Sequence, residues 1–215
     1  MYATQFTYLT ATLFLTLFTL STVTAQPRGI KIDESTDAFE GATTVLMDGN
    51  KVKVEGLTES ALAKGVLSLM SGHLQVSVIK TELNLEKYHR EGAAPEYAII
   101  VSVDVRDDAN FNIGTGESLV LLVDGERMGF STSGEFNKEY RDYYGNSATN
   151  ARYSVTAADL ETIIAAEEVR FRIVQGGDMD RAEQMRDKQA STFEGRFSDR
   201  NFAAWRFFFG EYLAK

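Results

Sequence analysis

Alternation of apolar and polar positions runs through most of this chain. The strongest stretch is Tyr97 to Val105, where Tyr97, Ile99, Val101, Val103 and Val105 share one parity and Ala98, Ile100, Ser102 and Asp104 take the other. A period of two is that of a strand with one side on a core. Upstream, Leu74, Val76 and Val78 alternate in phase, then Ile79, Leu83 and Leu85 take the opposite parity. That switch predicts a long strand with a bulge near Ile79 and Lys80. Val169, Phe171 and Ile173 form another alternating strand, with Arg170 and Arg172 on its other side, and Tyr153 and Val155 end a shorter one.

Turn signals join some of these runs. Val45 and Met47, then Val52 and Val54, flank Asp48-Gly49-Asn50, and the segments 119–123 and 127–130 flank Asp124-Gly125. Gly and Asn accept positive φ at little cost, so both pairs read as β-hairpins.

Helical spacing occurs in three places. Leu62, Val66, Leu69 and Met70 follow a potential cap at Thr58; Leu160, Ile163 and Ile164 follow Thr156 with Asp159 three residues on, a capping-box arrangement; Phe202, Trp205, Phe209 and Leu213 follow Ser198. The order of strands, helix, strands, helix, strand, helix predicts an α+β fold. Its expected form is an antiparallel or mixed sheet of about 7–8 strands with two to three helices packed mainly on one face.

The beginning of the chain has a different character. Residues 1–25 contain no Asp, Glu, Lys or Arg, an apolar stretch runs from Leu9 to Leu20, and Val23-Thr24-Ala25 supplies small residues before Gln26-Pro27. This is the pattern of a secretory signal peptide, apart from the lack of a basic residue before the apolar stretch. The expected organisation is a signal peptide at 1–25, a flexible lead-in at 26–42 carrying Asp33, Glu34, Asp37 and Glu40, and one domain over 43–215. The expected location is secreted or periplasmic, with no stable membrane span once the leader is cleaved.

Charge and composition narrow the chemistry. The 215 residues include 22 Lys+Arg and 31 Asp+Glu, a net charge of −9, with no Cys and two His. An acidic chain is poorly suited to a nucleic-acid backbone, so no nucleic-acid partner is expected. Lack of Cys removes thiolate metal sites, iron–sulfur clusters and thiol nucleophiles.

Other candidate motifs are incomplete. Gly129-Phe130-Ser131-Thr132-Ser133 lacks the last Gly of a nucleophile elbow. Asp108, Asn110 and Asn112 resemble the start of a calcium loop, but Ile113 and Leu119 stand where Gly and Glu are required. Gly114 to Ser118 lacks the Lys and the helix of a phosphate cradle and reads as a turn. Glu167 and Glu168 are adjacent and point apart, unlike a glycosidase pair. His73 and His89 sit at element ends. The aromatic cluster 202–209 suits core burial better than a membrane-surface helix.

One polar pattern points to binding. Arg170 and Arg172 share a strand side, where two guanidinium forks suit a carboxylate or sulfate; pairing with acids on a neighbouring strand is the simpler use. The sequence thus leads to an exported, non-enzymatic domain with a binding or structural role at the periplasm or cell surface. Its partner would be another protein or a surface polymer, without catalytic residues, metal or cofactor. The alternatives are an exported hydrolase using His73 or His89, and a small-ligand carrier with a cavity between sheet and helices.

Overall fold

A computed structural model describes residues 25–57, 77–106, 113–132, 138–141, 147–174 and 192–213. Most of the leader, the expected helix over 62–70, His73, the Asp107–Asn112 loop and Gly176-Gly177 lie outside the described residues.

Eleven strands are present among the described residues: β1 (Lys31–Asp37), β2 (Ala42–Asp48), β3 (Lys53–Leu57), β4 (Ser77–Arg90), β5 (Glu96–Arg106), β6 (Gly116–Val123), β7 (Glu126–Thr132), β8 (Lys138–Arg141), β9 (Ser147–Val155), β10 (Val169–Val174) and β11 (Thr192–Arg196). There are two α-helices, α1 (Ala157–Ala165) and α2 (Asp199–Phe208), the second continuing into a π-helical turn at Phe209–Leu213. A six-stranded sheet has the order β1-β2-β4-β5-β9-β8 and a five-stranded sheet the order β3-β11-β10-β6-β7. All pairings are antiparallel.

The expectation of one α+β sheet with helices on one face is therefore corrected: the fold is mostly β, in two sheets. The physical reason is that each sheet covers the other. Val45, Met47, Leu83, Leu85, Ile99, Val101 and Tyr153 of the first pack into the same core as Leu119, Leu121, Phe130, Val169, Phe171, Ile173 and Phe193 of the second. Helices are then not needed as cover. Instead α1 carries the chain from β9 in one sheet to β10 in the other, adding Leu160 and Ile163 to the shared core.

The expected hairpin at 48–50 is also corrected, because β2 and β3 belong to different sheets. Gly49 has φ +86°, and a Cβ there would lie 2.5 Å from the Gly29 carbonyl oxygen, so the turn is real but it redirects the chain. Residues 50–52 then run along β4: Val52 N–H donates to the Thr81 carbonyl at 2.9 Å and Leu83 N–H to the Asn50 carbonyl at 3.2 Å. Asn50 is fully buried, and its amide donates to the Leu83 carbonyl at 2.7 Å. Asn84 Oδ1 accepts from Asn50 N–H, and Asn201 Nδ2 donates to Asn50 Oδ1. Trp205 Nε1 donates to the same Leu83 carbonyl at 3.0 Å. Three asparagines and a tryptophan thus satisfy the seam where one sheet gives way to the other, as buried polar groups require.

Other local readings hold. The 124–125 turn joins β6 to β7 with positive φ at both Asp124 and Gly125, the geometry of a tight primed turn. A register shift between Val78 and Lys80 marks the expected bulge in β4. Thr156 caps α1, accepting from Asp159 N–H while its own N–H donates to the Asp159 carboxylate. Residues 31–37, read from sequence as lead-in, form edge strand β1, paired with β2 along its whole length. Its charged, exposed side chains are those that keep an edge from pairing with another chain. In α2, Phe202, Ala204, Trp205, Phe207 and Phe208 are all buried, and Phe197 meets Trp205 edge to face at 5.0 Å.

Candidate functional site

The side of the six-stranded sheet that faces away from the core holds a groove of about 640 Å³. Strand alternation builds it. Odd positions of β4 such as Leu83 and Leu85 are buried in the core, so even positions Asn84, Glu86 and Tyr88 are presented outward. By the same rule β2 offers Leu46 and Asp48, β5 offers Glu96, Ile100 and Ser102, and β9 offers Asn150 and Arg152.

Arg152 organises the groove. Its Nε donates to Glu86 Oε1 at 2.8 Å, and its Nη2 lies 3.9 Å from Glu96 Oε2. The Arg152 and Glu86 side chains are only 17% and 19% exposed, so this pair is better shielded than an open surface ion pair. Beside it lie Tyr88, Ile100 and Leu46, each partly exposed. One groove therefore combines a guanidinium, three carboxylates, amides, a hydroxyl, an aromatic ring and two aliphatic side chains. Such a surface can hydrogen-bond and pack against a polar chain with apolar faces.

Farther along β4, Glu82 is 2% exposed and sits 2.8 Å from Lys80 Nζ. Burial alone would lower the Lys80 pKa, but the hydrogen bond with Glu82 and the nearby Glu82, Asp104 and Asp48 carboxylates together hold it above its ordinary value. The cation stays charged and anchors a buried carboxylate under the groove end.

The sequence-derived candidates fall elsewhere. His89 is exposed at the end of β4, opposite Thr43, and hydrogen-bonds neither a Ser hydroxyl nor a carboxylate among the described residues. Arg170 and Arg172 are exposed on the outward side of β10, in the other sheet from the groove. Arg172 Nε donates to Glu194 Oε1 at 2.6 Å, whereas Arg170 lies opposite Arg196. The two arginines expected to act together have different neighbours. Phe130, within the incomplete nucleophile-elbow motif, is a core residue of β7. Glu167 and Glu168 donate their backbone N–H groups to Asp124 Oδ1, which ties the start of β10 to the β6–β7 turn.

The groove residues escaped sequence reading because their outward positions look like an ordinary solvated sheet face. Ile100 on β5 and Leu46 on β2, large apolar residues on the outward sides of their strands, are the signals that pointed otherwise.

No family model matches the chain, and no curated protein matches it. Among solved structures, it is similar to a functionally unknown protein from Listeria monocytogenes EGD-e, at 14% identity and a TM-score of 0.37 over 84% of this chain and 93% of that one.

Proposed function

We propose that this chain is an exported, non-enzymatic binding domain of the periplasm or cell surface, holding another protein or a surface polymer in the groove of the six-stranded sheet. The observation that carries the reading is the half-buried Arg152–Glu86 pair within an open groove that also presents Tyr88, Ile100 and Leu46. Core packing uses none of these side chains, and together they offer both hydrogen bonds and apolar contact. The groove lies outside the sheet, not between sheet and helices, so it suits an extended chain more than an enclosed small molecule. Export is supported by the uncharged, apolar residues 1–25. Among the described residues, no helix is long and apolar enough to cross a membrane.

Calorimetric titration of the chain from residue 26 onward, against a neutral polysaccharide and against an extended polar peptide, tests the binding reading. At least one probe is expected to bind, and Arg152→Ala and Tyr88→Ala are each expected to weaken it about tenfold without loss of cooperative unfolding. Variants that bind as the parent does remove the groove from the account. Intact mass tests export: chain recovered outside the cytoplasm should begin at Gln26, and working intracellular chain beginning at Met1 contradicts it.

A further inference from the structure

Register across the five-stranded sheet sets Lys53 of β3 beside Arg196 of β11, Arg196 beside Arg170 of β10, Arg170 beside Leu122 of β6, and Leu122 beside Arg127 of β7. All five are exposed and share the outward side, since their strand neighbours Val54, Phe171, Leu121 and Val123 pack into the core. With strands about 4.8 Å apart, the row extends roughly 19 Å. Like charges directly opposite each other in an antiparallel pair are unfavourable, and here two such contacts adjoin. At the edge of the row Arg127 is paired with Glu117, and in the next row Arg172 is paired with Glu194. Among the described residues, Lys53 and Arg170 have no acidic partner.

We propose that this row is a binding site for a linear polyanion, a surface polymer carrying carboxylate or phosphate groups along its length. Guanidinium forks bind either group in bidentate fashion, and cations at successive strand spacings match anions repeated along a thread. Leu122, 37% exposed, gives an apolar contact where the row lacks a charge. Glu194 and Glu117 border the row, which fits one thread better than a broad anionic surface. The net charge of −9 likewise repels a lipid lamella or a long duplex while leaving a local contact open. This site lies on the opposite outer face from the groove and does not depend on it.

The test is titration of the chain from residue 26 onward with polygalacturonate and with polyphosphate at several salt concentrations. Arg170→Ala with Lys53→Ala should weaken binding at least tenfold and make it less salt-dependent, while Lys31→Ala, which removes one cation from edge strand β1, should change it less than twofold. The two probes separate carboxylate from phosphate preference, and binding of either by this row supports the proposal. It is overturned if the double variant binds within twofold of the parent, if Lys31→Ala loses as much, or if anionic phospholipid vesicles or duplex DNA bind as tightly as both polymers. The thermal midpoint of the double variant should equal or slightly exceed the parent's, since a like-charge contact is removed on each side of Arg196, which keeps lost binding distinct from lost fold.

Discussion

On the outward side of the six-stranded sheet, charges meet as opposites: Glu86 of β4 holds Arg152 of β9 across the intervening β5, and Lys80 and Glu82 pair along β4. On the outward side of the five-stranded sheet, neighbouring strands meet as like charges at Lys53, Arg196 and Arg170. The two sheets bury the same kinds of aliphatic and aromatic side chains between them, so the contrast does not come from the core. It lies wholly on the side of each strand that folding leaves unconstrained. One face joins its charges around a shaped groove; the other sets cations side by side in a row bordered by Glu117 and Glu194. The first face offers shape and hydrogen bonding, the second a row of neighbouring cations.

The largest expected effect removes both faces together. Trp205 is fully buried and hydrogen-bonded at the seam, and Trp205→Ala should cost about 3–5 kcal/mol, measured by urea unfolding. Loss of one face alone would mean that the sheets fold independently.

A second perturbation acts between the sheets. Tyr153 of β9 and Ser118 of β6 are both buried, with their hydroxyls 2.9 Å apart. Burial pushes the phenol up to about 12, with the Ser118 hydrogen bond opposing it in part. The folded state therefore holds this proton more tightly than the unfolded state, where the phenol titrates near pH 10. The contribution is complete below that pH and is lost as pH rises toward 12, by about 2–3 kcal/mol. Tyr153→Phe should flatten this alkaline decline in a pH series of unfolding curves, although it leaves the Ser118 hydroxyl without its phenol partner. An equally steep decline in the variant would assign it elsewhere.

Asn201→Ala sharpens the account of the seam. It removes the amide that donates to Asn50 Oδ1 and the Lys51 carbonyl, and should cost about 1–3 kcal/mol by leaving buried acceptors unmet. The smallest effect has the opposite sign. Arg170→Glu places an acid opposite Arg196 and should stabilise the chain by about 0.2–1 kcal/mol, seen as a higher thermal midpoint. A fall in the midpoint would mean that the row is not under electrostatic strain.

Strands with one buried side were legible from sequence because burial imposes parity: β5, β10, and the β6–β7 hairpin with its Asp124-Gly125 turn follow from alternation and turn chemistry alone. Caps at Thr156 and Ser198 were legible for the same local reason. Sheet membership was not. Asp48-Gly49-Asn50 carries the same turn chemistry as Asp124-Gly125, yet the buried amide of Asn50 commits the chain to cross between sheets, a choice fixed by Asn84, Asn201 and Trp205 from distant segments. Short polar strands such as β1 and β11 were missed because pairing, not hydrophobicity, makes them strands. The groove was invisible because Arg152 and Glu86 are 66 residues apart and meet only across β5. Arg170 was legible as a binding candidate, but its neighbour in the row, Arg196, became apparent only with the strand register.

The central claim is that the groove of the six-stranded sheet is where this domain takes hold of its partner. An NMR map of backbone amide shifts, recorded as surface material from the source cell is titrated into the chain from residue 26 onward, tests it most directly. Perturbation is expected to centre on residues 84–88, 98–102 and 148–152, with a second, salt-sensitive set at Lys53, Arg170 and Arg196 when the material is anionic. Saturable binding that leaves the first set unmoved would contradict the claim.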